Sequence, residues 1–317
     1  MKTLRDTAML ASLNISLWQA RKMDAKATAD AITSANAESD AGRFNKALVA
    51  KTALANVRRV VNAARQTHAY STAAWATGAQ ILAGTNHARY SDAMRKHRLD
   101  FESAVRDFVA EYPSYISQAK ARLGTMFEAR DYPIPNVIAR EFSFDVEIMP
   151  ITESSDFRIV EMSKADQDKA RMDIAARNDK RLADSTADVW QRVQKRVEHL
   201  RDKLAGYDPD KPKASPFRDS CVDGLRAQVE ILPAINIAGN ADLVALARDI
   251  ETDLLGVEPQ QLRDDNDTRA VVQKAAAKLA ERMAAGPGAA GVASRAVAGT
   301  ASPTTGNPVA DFLAGAP

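Results

Sequence analysis

Hydrophobic and polar positions change their period along this chain, and those changes outline its elements. Leu13, Ile15 and Leu17 alternate with Asn14 and Ser16, a period of two that predicts a half-buried strand over 12–18. An amphipathic helix is expected from Lys22 to Glu38. From Arg43 the spacing becomes helical, with Leu54, Val57, Val61 and Ala64 on one face. No proline interrupts residues 1–112, and Gly78 and Gly84 are the expected punctuation, with a break near 83–86. A further helix over 87–111 carries Tyr90, Met94, Phe101, Val105 and Phe108. Pro113 then suits the first turn of another, running to Glu128.

Asp131-Tyr132-Pro133-Ile134-Pro135 is a stop. Beyond it Phe142, Phe144, Val146 and Ile148 alternate with Ser143, Asp145 and Glu147, predicting a strand over 142–149. Phe157–Val160 reads as its hairpin partner after a turn. A lone hairpin is marginal in water, so the N-terminal strand is expected to join it in one small antiparallel sheet. Residues 164–205 read as a long charged helix. Trp190, Val193, Val197, Leu200 and Leu204 are spaced 3, 4, 3, 4 along it, a short heptad seam for helix packing or a coiled coil. Gly206, Pro209, Pro212 and Pro216 make 206–216 a linker. Helices are expected over 217–232, 240–255 and 266–285, the second capped by Asn240 and the third by Asp267 or Thr268. From Gly286 the composition collapses to Gly, Ala, Pro, Ser and Thr, which reads as a disordered tail over 286–317. Val309, Phe312 and Leu313 form an apolar island in it, a candidate docking peptide.

The expected fold is therefore mainly α, of the α+β kind: long helices and a helical bundle with one small antiparallel sheet. The expected domains are a long-helix region with the sheet over 1–205, the linker, C-terminal helices over 217–285 and the tail. Composition agrees. Hydrophobic residues make up 45% of the 317 and aromatics only 6%, with abundant alanine, the best helix former. A net charge of +2 gives no global pull towards nucleic acid or an anionic membrane. The single cysteine, Cys221, excludes an intrachain disulfide and a cysteine-built zinc site. No apolar run approaches the length of a membrane span, and the first residues lack the pattern of a signal peptide. A soluble protein of the cytoplasm is the expectation.

Candidate chemistry is sparse. Residues 41–90 hold seven Lys and Arg and no Asp or Glu, and Lys51, Arg58 and Arg65 recur every seven residues, with Arg59 beside them. Such a basic stripe can follow phosphates or meet an acidic partner. It reads first as a solvated face offset by the acids of 141–168, and it lacks the interleaved aromatics that stack on single strands. The four histidines, His68, His87, His97 and His199, have no metal-ligand spacing and read as surface or capping residues. Asp264-Asp265-Asn266-Asp267 opens like a calcium loop without its glycine and glutamate, and reads as a turn and cap. Cys221 has no evident base partner. Phosphate-loop and serine-elbow motifs are missing. No cofactor, no metal and no enzymatic activity are expected.

Leu13-Asn14-Ile15-Ser16-Leu17-Trp18 followed by Arg21-Lys22 and Asp24-Ala25-Lys26 resembles the opening of a phage and prophage family known as domain of unknown function 3150. Asp131-Tyr132-Pro133, the 142–151 strand, Asp156-Phe157-Arg158, Phe217-Arg218-Asp219-Ser220 and Leu232–Ile237 fit the same pattern, as do Leu262-Arg263 and Arg269. The resemblance spans roughly residues 10–285 and brings no functional residues. It implies origin in a phage or prophage, hence a bacterial host's cytoplasm. It also implies the company of MoxR-like AAA+ ring ATPases and von Willebrand A-type proteins, neither of which this chain is, since it lacks their Walker and Asp-x-Ser-x-Ser motifs. The first functional expectation is a non-enzymatic accessory or adaptor protein acting through protein–protein contacts, with self-association allowed. The second is a nucleic-acid-binding protein using the basic helix, and the third a structural part of the virion.

Overall fold

The computed structural model describes residues 3–156, 161–211, 213 and 216–287. The chain divides into two compact units, 1–185 and 186–317, with the division inside a long helix. Among the described residues it is mainly helical, with one four-stranded and one two-stranded antiparallel sheet.

The first unit begins with a single helical turn, α1 (Leu4–Thr7), and runs directly into β1 (Ala8–Ser16). There follow β2 (Arg21–Met23), α2 (Ala25–Ser34), β3 (Asn45–Ala47), α3 (Ala55–Ser71), β4 (Ala73–Ala76), β5 (Ala79–Ala83), α4 (His87–Leu123), α5 (Pro135–Arg140) and β6 (Ser143–Met149). The opening half of α6 (Lys164–Ala205) completes it. The main sheet has the order β4-β5-β1-β6, so the first strand of the chain lies in its interior. β1 meets β6 with Leu13 opposite Val146 and Ile15 opposite Phe144. On its other side Leu10 lies opposite Ile81 of β5.

Alternation then sorts the side chains. Met9, Ala11, Leu13 and Ile15 of β1, with Phe144 and Val146 of β6, face a core made with α3 and α4. That core takes Val57, Val60, Val61 and Ala64 from α3, and Tyr90, Met94, Phe101, Val105, Phe108 and Tyr112 from α4. Each fully buried large side chain here contributes about 1.5–3 kcal/mol. Trp18, just past β1, packs its ring edge-on against Tyr112, 5.7 Å between centroids. The opposite face of the sheet is polar where β1 meets β6. Ser12 pairs with Glu147 and Asn14 with Asp145, and both acids are exposed, as the alternation predicts.

Several expectations change. The N-terminal strand covers 8–16, not 12–18, and the segment expected as a helix from Lys22 opens with β2, so that α2 spans only Ala25–Ser34. Residues 73–83, expected as helix with glycine punctuation, form the β4–β5 hairpin. Ala73 and Trp75 are buried while Ala74 and Ala76 are exposed, and Gly78 takes φ +79 at the turn, a conformation costly for any side chain. Pro113 does not start a helix. It sits inside α4, on an exposed side, where water can take the carbonyl that the ring leaves without an N–H. The expected hairpin strand 157–160 lies outside the described residues, as does residue 288 onward of the expected tail.

The second unit contains the rest of α6 with α7 (Ser220–Ile235), α8 (Ala241–Asp253), α9 (Pro259–Asp264) and α10 (Asn266–Ala284). The heptad seam is its spine. Trp190, Val193, Val197, Leu200 and Leu204 are all at most 3% exposed. Val222, Leu225, Val229 and Leu232 of α7, Leu243, Leu246 and Ile250 of α8 and Val272, Leu279 and Met283 of α10 are buried in the same unit. Trp190 Nε1 donates to the Met283 carbonyl at 3.0 Å, closing the C-terminal end of α10 against α6. Asn240 caps α8 as expected, accepting from the Leu243 amide at 3.1 Å. α10 is capped by Asp265, which accepts from the Asp267 amide and the Thr268 hydroxyl, where Asp267 or Thr268 itself was expected.

Candidate functional site

Residues 21–47 form an arm on the first unit. β2 and β3 pair with Lys22 opposite Lys46, and α2 runs between them. Asp24 starts the helix, its carboxylate accepting from the Ala27 amide at 2.9 Å. Thr28 ties the loop back: its hydroxyl donates to the Asp24 carbonyl at 2.6 Å and accepts from the Phe44 amide at 3.0 Å. α2 has no buried residue, although its sequence is amphipathic. Met23 is 48% exposed and Phe44 41%. Two grooves flank Ile32. One, of about 270 Å³, runs past Thr28, Ala31, Ala35 and Phe44; the other, of about 510 Å³, runs past Met23, Ala25, Ala29 and Arg43.

A buried charge cluster pins the root of this arm. Lys46, 3% exposed, places Nζ 3.0 Å from Asp24 and 2.9 Å from Asp131, and donates to the Met126 carbonyl at 2.7 Å. Its three protons thus have three acceptors. Lys22 reaches the other oxygen of Asp131 at 2.8 Å, and Glu128 stands at the edge, 3.9 Å from the Lys46 ammonium. Tyr132, next in sequence, donates to the Leu48 carbonyl at 2.8 Å. Burial pulls the Lys46 ammonium down, but the hydrogen bonds and charges of Asp131 and Asp24 outweigh it and hold it above the usual lysine value. Burial raises the Asp131 carboxyl; Lys22 and Lys46 overcome this and leave it below the usual range. Asp24 is lowered chiefly by the Ala27 amide, then by Lys46. The arrangement is one of mutual neutralisation, and its chemistry is structural.

No family model, curated protein or solved structure matches this chain.

Of the residues expected to share one basic helix face, Lys51 lies outside the helix. Arg58, Arg59 and Arg65 lie exposed on α3, and Lys51 is exposed in the short 3-10 turn before it. Arg59 donates to Asn56 at 3.0 Å. Among the described residues no carboxylate is within ion-pair distance of these four. Lys46, counted in the same charge window, is internal and belongs to the cluster above.

The histidines divide. His68, expected at the surface, is buried, with Nδ1 2.8 Å from the Tyr90 hydroxyl, and burial pushes that phenol up to about 12. His97 Nε2 lies 2.8 Å from the Thr67 hydroxyl and is lowered, mainly by burial. His199 approaches Cys221 at 3.6 Å, a pairing of α6 with α7 that separation in sequence concealed. Among the described residues no carboxylate is hydrogen-bonded to His199, so the pair lacks the third group that would orient a base. No group of three His, Cys, Asp or Glu among the described residues could hold a metal ion, and no described helix is long and apolar enough to cross a membrane. The seam Trp190, Val193, Val197, Leu200 and Leu204 is committed to the core of the second unit and is not available to another molecule. Val309, Phe312 and Leu313 lie outside the described residues.

Proposed function

We propose that this chain is a non-enzymatic accessory or adaptor protein that works by binding another protein, and that the arm formed by α2, β2 and β3 is the contact. The observation that carries this reading is a ten-residue amphipathic helix with no buried residue, flanked by exposed Met23 and Phe44. A helix of that length gains little from propensity alone and is normally held by packing of its apolar face. Here the caps and the charge cluster hold it out, leaving that face for a partner. The small side chains Ala31, Ala35, Ala37, Ala41 and Gly42 beside Phe44 allow a second helix to approach closely. The resemblance to the phage family supports a MoxR-like ring ATPase or its von Willebrand A-type companion as that partner, in the cytoplasm of a bacterial host.

The test is co-purification of the tagged protein with a neighbouring MoxR-like ATPase. Wild type is expected to retain the ATPase, and Met23→Asp with Phe44→Asp to lose it while keeping the wild-type circular dichroism. Retention by the double variant removes the arm from the reading, and failure of wild type to retain either companion removes the partner. A second reading rests on the exposed Lys51, Arg58, Arg59 and Arg65, which suit an acidic polymer such as nucleic acid. It predicts affinity that falls steeply with salt and is abolished by charge reversal at Lys51, Arg58 and Arg65. DNA and RNA retention unchanged by that reversal would sink it.

A further inference from the structure

The polar face of the main sheet becomes apolar towards its β4–β5 end, and there it carries a cleft of about 280 Å³ within the first unit. Leu10 of β1, Trp75 of β4, Ile151 and Ile174 of α6 give it an apolar lining. Arg177 and Arg181, one helical turn apart on α6, stand at its rim. The site is built and not incidental. Asn178, between the two arginines, donates to the Thr152 carbonyl at 2.9 Å and fixes the 151–152 segment to the helix. Ser185 Oγ donates to the Ala74 carbonyl and fixes α6 to β4. The Arg181 guanidinium lies 5.8 Å from the centroid of the Trp75 ring, which holds it in place.

Charge makes the cleft selective. Of the carboxylates nearby in sequence, Asp156 and Glu153 pair with Arg5 at 2.6 Å and 3.7 Å and Asp184 with Lys180 at 2.8 Å, while Asp173 and Asp179 on α6 lie outside ion-pair distance of both arginines. Among the described residues no carboxylate is within ion-pair distance of Arg177 or Arg181. Two guanidinium groups without anions therefore border an apolar hollow, a combination that fits a ligand with both an anionic head and an apolar body.

We propose that this cleft binds a small amphipathic carboxylate. Its head group is held by Arg177 and Arg181, and its short chain or single ring lies on Leu10, Ile151 and Ile174 against Trp75. The volume is at the small end for ligand pockets, which excludes long acyl chains and multi-ring bodies. Guanidinium groups suit the planar carboxylate, with two parallel N–H donors each. Nothing in this inference depends on the arm or on the adaptor reading.

The test is calorimetric titration of the full-length protein with octanoate, and with octanol as the uncharged match. Saturable 1:1 binding of octanoate, absent for octanol, is expected. Arg177→Gln and Arg181→Gln should each weaken octanoate by about tenfold or more, and Arg177→Lys by less. Arg177 is exposed, so its replacement leaves the core intact, and circular dichroism checks this. The proposal is overturned if octanoate gives no saturable signal with folded wild-type protein. It is equally overturned if octanol binds as tightly, or if neither glutamine variant changes the affinity.

Discussion

Lys46 shows how a single residue can be misassigned by counting charges. In sequence it belongs to a basic window. In space its ammonium is enclosed by Asp24, Asp131 and the Met126 carbonyl. Removing it takes the ammonium from Asp24 and leaves Asp131 with Lys22 alone. Lys46→Met is therefore expected to destabilise the first unit by about 2–3 kcal/mol, measured by urea unfolding. The pH profile gives a second readout. Asp24 and Asp131 titrate lower in the folded protein than in the unfolded chain. The stability they contribute is present above the unfolded carboxylate value and is lost as pH falls through the folded one. Lys46 titrates higher, so its contribution is complete below the unfolded lysine value and is lost as pH rises through the folded one. Both limbs should flatten in Lys46→Met, and an unchanged acid limb would mean that the cluster is not what stabilises the arm's root.

At the scale of elements, Pro113 is the clearest conflict between a local rule and the fold. It breaks the hydrogen-bond ladder of a 37-residue helix that continues regardless, because Tyr112, Ala119 and Leu123 are buried on both sides of it. Pro113→Ala restores the missing donor at an exposed position and is expected to stabilise the protein by about 1–3 kcal/mol, read as a raised melting temperature. Long elements with large apolar side chains were legible in the sequence: the 164–205 helix, the Leu54, Val57, Val61 and Ala64 face, and the Phe144 and Val146 strand. The hairpin at 73–83 was not, because alanine carries helix propensity and its large apolar side chains are few, Trp75 and Ile81 on one face and Leu82 on the other. β2 and β3 are three residues each, too short for any period to show. Of the candidate surface residues, the exposure of Arg58 and Arg65 was legible because it follows helical spacing, whereas the start of α3 after Lys51 was not. The Arg177 and Arg181 cleft was hidden, since its lining comes from β1, β4, the segment after β6 and α6.

For the molecule as a whole, the division at 185 means two cores. One is built on the sheet with α3 and α4, the other on the Trp190–Leu204 seam. Substitutions in them are expected to act separately in differential scanning calorimetry. Trp190→Phe removes the donor to the Met283 carbonyl and should lower the transition of the second unit by about 1–2 kcal/mol. Lys46→Met should lower that of the first. A single transition shifted equally by both would show the two units to unfold as one.

The interior position of β1 has a consequence for the chain as it is made. Ala8–Ser16 leaves the ribosome well before one of its flanking strands, Ser143–Met149, which is roughly 130 residues behind, about 6–26 seconds of translation. For that interval the nascent chain can offer β1 only the β4–β5 hairpin and the α3–α4 pair. The sheet closes when β6 arrives. Until Ser143–Met149 has been made, Leu13 and Ile15 lack their partners Val146 and Phe144, and a chaperone that shields Leu10–Ile15 during synthesis would cover them for that interval.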